Sequence, residues 1–288
     1  MSNNPNVSLE AFLNAPIEEV AKVAPTTMVY SVSGSRRSAA LAGLPTSGDV
    51  YFRWSWERMM RSLEMIFHHG VRHILYPIVT PSQFNESTPE YREHLWDWLD
   101  WGLAGEEALA EFKRNGWRVY VPFGEKFPSL HQVNERLRVT QTTTDSPGLW
   151  FFIIPEHNLL WEWVLELLQQ SKVTTVEGAI RQIYGQDIPP ATLYLDFGKP
   201  IVTPDLLPPF LIGVLQCYWS QRPGYLLDQQ QLRSILYDYA YIRPTWQPDK
   251  TGRAEEAVAH REDWERGPTL GLGTRKGPFW YPAAFPES

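Results

Sequence analysis

The chain has 288 residues, of which 43% are hydrophobic and 14% aromatic, and its formal net charge is −7. These values predict one large globular domain over 1–288, because no Gly/Ser-rich stretch or run of like charges marks a linker. The acidic balance argues against a nucleic-acid partner, and the single cysteine, Cys217, excludes a disulfide framework or a thiolate metal cluster.

The N-terminus and the longest apolar runs predict a cytoplasmic protein. Residues 1–20 contain neither a basic region nor a long apolar core, which argues against a signal peptide. The apolar runs at 149–155 and 208–215 are too short to cross a bilayer. We therefore expect no transmembrane segment.

Short apolar stretches alternate with helical patterns along the chain. The stretches are rich in β-branched and aromatic residues and nearly continuous in apolar character, as in strands covered on both faces. The predicted strands span 27–32, 73–79, 117–123, 149–154 and 192–197. The predicted helices span 56–67, 106–115, 175–184 and 229–242.

Capping signals and strand–helix alternation set the predicted architecture. Thr174 with Glu177 indicates a capping box at the third helix, and Asp228 opens the last. The alternation predicts an α/β fold with a central parallel sheet of about six strands wrapped by helices. Residues 245–288 are rich in proline, glycine and charge, and we expect them to pack as an irregular C-terminal arm.

A glycine and two arginines follow the first predicted strand, in the sequence SGSRR at 33–37. Ligands of open α/β sheets bind at the carboxyl ends of strands. Gly34 lets the backbone approach a ligand closely, and Arg36 and Arg37 offer planar, bidentate donors for phosphate oxygens. Adjacent arginines also occur on solvated surfaces, so this segment alone leaves both interpretations open.

Several familiar chemistries lack their motifs in this chain. The sequence contains no GxxxxGK[ST], no GxGxxG after a strand, no HExxH and no GxSxG. It also lacks the DDxxD and DxDD runs of ordinary terpene cyclases. His68 and His69 are adjacent, which does not place both on one helix face for a metal.

Five segments carry a resemblance to known enzymes. SGSRR resembles the DGxRR phosphate-binding signature of cis-prenyltransferases, and YWSQRPGYLLDQQQL at 218–232 resembles a later segment of that superfamily. A closer resemblance is to the tuberculosinol synthase family, bacterial diterpene synthases with the cis-prenyltransferase fold. It rests on DVY at 49–51, YGQDIPPATLYLDFGK at 184–199 and, most specifically, LRSILYDYAYIR at 232–243.

The resemblance implies an activity. Members of the family ionise a bicyclic allylic diterpenyl diphosphate, here of the kolavenyl or tuberculosinyl type, and quench the cation with water. The products are a tertiary allylic alcohol and diphosphate. Two alternatives stay open at this point: a catalytically silent cis-prenyltransferase-like partner subunit, and a cis-prenyltransferase proper.

The resemblance also implies roles for individual residues. Arg36 and Arg37 would hold the diphosphate, Tyr51 matches a family active-site tyrosine, and Asp49 would orient water or Tyr51. Further diphosphate contacts are expected from Ser33, Gly34, Ser35, Lys199 and Arg243. An aromatic pocket that stabilises the cation is expected from Tyr76, Trp96, Trp98 and Trp101, although for the tryptophans core packing is an open alternative.

Two departures from the cis-prenyltransferase pattern bear on metal binding. Ser33 stands where an aspartate is expected, and nothing acidic lies near Val214, where a glutamate ligand is expected. These losses argue against chain elongation, which must bind two diphosphates around a metal. The family implies Mg2+, for which the sequence shows no ligand, and it implies a homodimer.

Overall fold

The computed structural model of the chain describes residues 7–283 except 87, 142, 144 and 247. Six parallel strands in this part of the chain form one sheet, in the order β3-β4-β2-β1-β5-β6. They are β1 (Thr27–Tyr30), β2 (His73–Val79), β3 (Arg118–Tyr120), β4 (Gly148–Ile153), β5 (Ala191–Phe197) and β6 (Ile212–Ser220). The predicted central sheet of about six parallel strands is confirmed.

The sixth strand, β6, has no counterpart among the predicted strands. It lies at the edge of the sheet, pairs only with β5 among the described strands, and is mostly half-buried or exposed. Val214 on this strand is 88% exposed. Gly213 and Gln216 interrupt its apolar residues, so β6 lacks the nearly continuous apolar pattern of strands covered on both faces.

Helices cover both faces of the sheet. In the described residues they are α1 (Leu9–Leu13), α2 (Ile17–Ala21), α3 (Ser35–Leu41), α4 (Gly48–His68), α5 (Pro81–Phe84), α6 (Pro89–Ala104), α7 (Glu106–Arg114), α8 (Val133–Leu137), α9 (Leu159–Gln170), α10 (Val176–Tyr184), α11 (Gln229–Tyr237), α12 (Arg253–Ala259) and α13 (Arg261–Glu265). A search of the described helices finds none with the length and hydropathy needed to span a membrane.

Helix boundaries differ from the predictions in three places. The helix predicted over 56–67 extends from Gly48 to His68. Three consecutive apolar residues near its start, Val50, Tyr51 and Phe52, obscure the helical spacing there. Thr175, not Thr174, caps α10, and its hydroxyl accepts a hydrogen bond from the Gly178 N–H. The last predicted helix changes at Tyr237 into one π-helical segment, Asp238–Ile242.

The C-terminal arm is not irregular in its described part. It contains α12, α13 and a hairpin of β7 (Gly273–Lys276) and β8 (Phe279–Pro282). Residues 284–288 of the predicted arm lie outside the described residues. The charged and glycine-rich composition of this arm obscures the short elements that it forms.

The alternation of side chains along the strands builds two apolar layers. Tyr30 and Tyr76 lie in the layer beneath α4 and α6, whereas Val29 and Leu75 lie in the layer on the opposite face, beneath α9 and α10. Aromatic residues of the sheet therefore face the space between the sheet and the long helices α4 and α6.

The strand order places a ligand-binding position beside β1. The chain passes from β1 to β2 on one side, whereas β5 adds to β1 on the other side. Ligands of open parallel sheets bind in the crevice outside the carboxyl ends of strands at such a switch point. A ligand-binding site is therefore expected at the segments that follow β1 and β5.

Burial of His73 predicts a pH-dependent stability. Burial, together with the charges of Arg118 and Arg72, lowers the pKa of His73 from 6.5 to about 4. The unfolded chain takes up this proton near pH 6.5 and the folded chain does not, so the free energy of unfolding falls as the pH drops from about 6.5 to 4. We expect a loss of up to about 3 kcal/mol, measured by urea unfolding. His73→Gln is expected to flatten this profile. His131→Gln, at an exposed position, is expected to leave it unchanged. Equal profiles for wild type and His73→Gln contradict the assignment of this loss of stability to His73.

Candidate active site

A groove of about 810 Å³ lies at the carboxyl ends of β1 and β5. The SGSRR segment forms one wall, and the segment from Asp196 to Lys199 forms another. Most of the lining side chains are polar or charged. The groove therefore suits a charged group, and it lies at the switch point of the sheet.

Arg37 lies between the two strand ends. Its guanidinium passes so close to Gly34 that a Cβ atom there would lie 2.5 Å from Nη2, and a Cβ at Gly198 would lie 3.4 Å from the same atom. The Phe279 ring of the C-terminal hairpin covers it at 5.6 Å. Among the described residues, Arg37 forms no ion pair within 4.0 Å, so its charge is available to an anion in the groove.

Arg36 occupies the opposite rim of the same groove. Its Nη1 lies 3.0 Å from Glu86 Oε2, and its guanidinium lies 4.4 Å from the centre of the Tyr91 ring. Hydrogen bonds from Thr88 and the charge of Arg36 lower the pKa of Glu86. Arg36 therefore has an internal counter-ion that an incoming anion must displace or share.

Ser33 lines the groove, but its hydroxyl proton is committed elsewhere. The Ser33 hydroxyl donates to Asp196 Oδ1 at 3.1 Å, and the Phe197 N–H donates to the same oxygen at 2.7 Å. The Tyr194 hydroxyl donates to Oδ2 at 3.0 Å. Ser33 and Asp196 thus join the ends of β1 and β5. The predicted contact of Ser33 with diphosphate stays a prediction.

Tyr51 stands where the groove meets a second cavity. Its hydroxyl lies 2.7 Å from the Ser35 hydroxyl, its side chain is almost fully buried, and it lines both spaces. The structure thus brings Tyr51 and Ser35 next to the arginines, as the sequence predicts. Because these two hydroxyls lie at the junction, they can form hydrogen bonds with groups in either space.

The second space, here called the inner cavity, is an apolar pocket of about 110 Å³ between the sheet, α4 and α6. Its lining is dominated by aromatic and aliphatic side chains, among them Tyr76, Trp98 and Trp101. Burial raises the pKa of Tyr91 to about 12 and holds the pKa values of Tyr76 and Tyr225 above their ordinary range. These phenols stay neutral at physiological pH and present π-faces and hydroxyls but no charge.

Asp49 and Trp96 do not reach the groove or the inner cavity. Asp49 lies in the first turn of α4, two residues before Tyr51. Two residues correspond to about 200° of rotation around a helix, so the two side chains point in opposite directions. Its Oδ1 accepts a hydrogen bond from Trp98 Nε1 at 2.9 Å. Trp96 is likewise two positions from Trp98 on α6 and packs on Phe84. Both predicted placements are wrong for this reason.

Arg243 is also absent from the groove in this chain. Its Nε lies 2.7 Å from Asp238 Oδ2, its Nη1 donates to the Cys217 carbonyl, and its guanidinium stacks 4.0 Å from the Tyr218 ring centre. The π-helical segment turns the side chain toward β6. Lys199, by contrast, lines the groove where the sequence predicts it.

Sequence reasoning missed three groove residues. Asp196 is 5% exposed, and the signal for it is a lone carboxylate at the end of an otherwise apolar strand. His157 Nδ1 lies 2.7 Å from the buried Asp205 Oδ2 on the far side of the groove. No local pattern indicates that these two residues meet, because 48 positions separate them.

The groove does not fit a resident Mg2+ ion. Its carboxylates among the described residues are Glu86, Asp196 and Asp205, and each already has protein partners. No group of three metal-binding side chains exists in the described part of the chain. A hard cation needs free oxygen ligands. The Mg2+ expectation stays a prediction.

Comparison with known proteins decides the family. The chain is 46% identical to (+)-kolavelool synthase of Herpetosiphon aurantiacus over 278 residues, which are 96% of each chain. This chain belongs to the kolavelool synthase family. Its members are terpene synthases, and this chain is an enzyme of that class. Tuberculosinyl adenosine transferase of Mycobacterium tuberculosis is 24% identical over 257 residues, 82% of this chain and 84% of that protein.

Solved structures show that this chain has the cis-prenyltransferase fold. Lavandulyl diphosphate synthase from Lavandula x intermedia superposes with a TM-score of 0.54 at 10% identity, over 76% of this chain and 96% of that one. A probable undecaprenyl diphosphate synthase from Campylobacter jejuni gives 0.53 at 12% identity, over 77% and 98%. No family model matches the chain. The resemblance seen in the motifs is confirmed, as is the predicted fold.

Proposed function

We propose that this diterpene synthase ionises a bicyclic allylic diterpenyl diphosphate of the kolavenyl or tuberculosinyl type and captures the cation with water. One observation carries the proposal. A polar groove meets an aromatic inner cavity, and Tyr51 with Ser35 lies at the junction. Arg37 in this groove has no ion pair among the residues that the structure describes. This arrangement suits a molecule with a diphosphate at one end and a hydrocarbon at the other.

The first step breaks the allylic C–O bond. Both electrons of the bond go to the diphosphate oxygen, so an allylic cation and a diphosphate anion form together. Arg37 offers a planar fork of N–H donors to the leaving group, and Arg36 and Lys199 add charge from the same groove. A preorganised donor of this kind lowers a barrier by roughly 2–4 kcal/mol.

The second step joins water to the cation. Aromatic faces such as those of Tyr76 and Trp101 each stabilise a cation by roughly 0.5–2 kcal/mol. Water adds at the more substituted end of the allyl system and forms the tertiary C–O bond. The released diphosphate accepts the proton, so the substrate and one water yield the alcohol and protonated diphosphate.

The two alternative functions gain no support. A silent partner subunit has no use for a guanidinium that lies beside an aromatic cavity without an ion pair in the described structure, and the 46% identical relative is a synthase. Chain elongation by a cis-prenyltransferase needs a second diphosphate held around a metal, and the described residues of the groove offer no free carboxylate for it. The synthase is therefore the proposal that both site and family favour.

Product analysis tests this function. The purified protein is incubated alone with kolavenyl diphosphate, geranylgeranyl diphosphate or farnesyl diphosphate, and extracts are analysed by mass spectrometry. We expect one tertiary C20 alcohol from the bicyclic substrate. Absence of any product from C15–C20 diphosphates indicates the partner subunit, and longer chains on adding isopentenyl diphosphate indicate a prenyltransferase. Light scattering tests the predicted homodimer.

A further inference from the structure

A third cavity, here called the outer cleft, lies on the far side of the inner cavity. It measures about 510 Å³ and opens between the first turns of α4 and the middle of α6. Phe52, Trp98 and Trp101 line both the outer cleft and the inner cavity. These three side chains, here called the aromatic wall, separate the two spaces.

The inner cavity is too small for the proposed substrate. An apolar cavity of about 150 Å³ holds one benzene ring. The inner cavity has about 110 Å³, whereas the hydrocarbon part of a diterpenyl diphosphate has twenty carbons. The groove offers more room, but its polar and charged lining does not suit a hydrocarbon. A C20 body therefore needs room beyond the inner cavity, and the outer cleft lies behind the aromatic wall.

Trp98 is the member of the aromatic wall that a side-chain hydrogen bond holds in place. Its Nε1 donates to Asp49 Oδ1 at 2.9 Å, and Asp49 is exposed. Its ring also stacks on Phe52. Among the described residues, Phe52 and Trp101 form no side-chain hydrogen bond, and Trp101 lies under the Arg53 guanidinium at 4.9 Å.

We propose that Trp98 is a movable wall, that Asp49 latches it closed, and that its displacement joins the inner cavity to the outer cleft and admits C20 substrates. This inference rests on the proposed function. A latch that favours the closed wall leaves only a fraction of the molecules open. The affinity for a ligand that needs the open wall falls in proportion to that fraction. A short ligand that fits the closed cavity is unaffected. Asp49 and Trp98 thus determine chain-length preference.

Binding of unreactive analogues tests the latch. Thiolodiphosphate analogues with a bicyclic C20 body and with a five-carbon dimethylallyl chain are titrated calorimetrically into wild type, Asp49→Ala and Asp49→Asn. We expect Asp49→Ala to bind the C20 analogue about threefold to tenfold more tightly, the effect of losing one hydrogen bond. The affinity for the C5 analogue is expected to stay the same. Asp49→Asn, which keeps an oxygen acceptor for Trp98, is expected to match wild type for both ligands.

Two outcomes overturn the latch. One is an unchanged C20 affinity in Asp49→Ala, and the other is an equal gain for the C5 and C20 analogues. Trp98→Phe, which keeps a ring and loses the N–H donor, is expected to reproduce the gain of Asp49→Ala. Turnover of the C20 diphosphate by the wild-type protein is measured in parallel. Absence of turnover contradicts the proposed function, whereas turnover together with an unchanged C20 affinity in Asp49→Ala contradicts only the latch.

Discussion

Arg37→Ala is expected to lower product formation at least about a hundredfold while the protein stays folded. Arg37 is the groove guanidinium without an ion pair among the described residues, so its loss removes a donor aimed at the leaving group. Removing one donor of this type from an anion-stabilising site costs roughly 10²–10³ in turnover. Single-turnover rates with the bicyclic diphosphate, together with a urea unfolding curve, measure both parts of the prediction.

Two control variants separate charge from geometry at Arg37. Arg37→Lys keeps the charge but loses the bidentate fork, and we expect an intermediate loss of about tenfold. Arg181→Ala removes an exposed arginine that pairs with Asp187 and does not line the groove, and it should leave turnover unchanged. Near-normal turnover of Arg37→Ala removes this guanidinium from the mechanism.

Gly34→Ala is expected to cause a loss of turnover close to that of Arg37→Ala. Gly34 has φ +81°, and an added Cβ would lie 2.5 Å from Arg37 Nη2 and 2.7 Å from Nε. The methyl group therefore displaces the guanidinium from its place between the strand ends. The left-handed backbone adds a stability cost of about 1–2 kcal/mol. Steady-state kinetics and thermal unfolding measure the two effects.

The chain offers a matched control for this glycine. Gly43 also has a left-handed backbone, φ +72°, but an added Cβ there meets nothing within 4 Å. Gly43→Ala should therefore lose similar stability and keep full turnover. If both variants lose turnover equally, backbone strain rather than the position of Arg37 explains the loss.

Local patterns predicted those parts of the fold that local physics determines. The five buried strands are nearly continuous apolar segments, and capping residues such as Asp228 mark the start of a helix. The edge strand β6 is not predicted, because Gly213 and Gln216 interrupt its apolar residues and the strand is only partly buried. Glycine and two arginines after a buried strand predicted the groove correctly, since strand ends in parallel sheets share one edge.

The missed features of the site depend on distant contacts or on helix rotation. Ser33 and Asp196 are 163 positions apart, and only the pairing of β1 with β5 brings them together. The motif DVY suggested that Asp49 and Tyr51 act together, but the start of α4 at Gly48 places them on opposite faces. A sequence motif specifies which residues are present, but it does not specify how the helix on which they lie is rotated.

The origin of the alcohol oxygen tests the central claim most directly. The reaction is run in water enriched in ¹⁸O with the bicyclic allylic diphosphate, and the product is analysed by mass spectrometry. Cleavage of the C–O bond at the groove followed by capture of water predicts a tertiary alcohol that carries ¹⁸O. A primary alcohol that retains the substrate's own oxygen would show cleavage at phosphorus instead and would contradict ionisation by this enzyme.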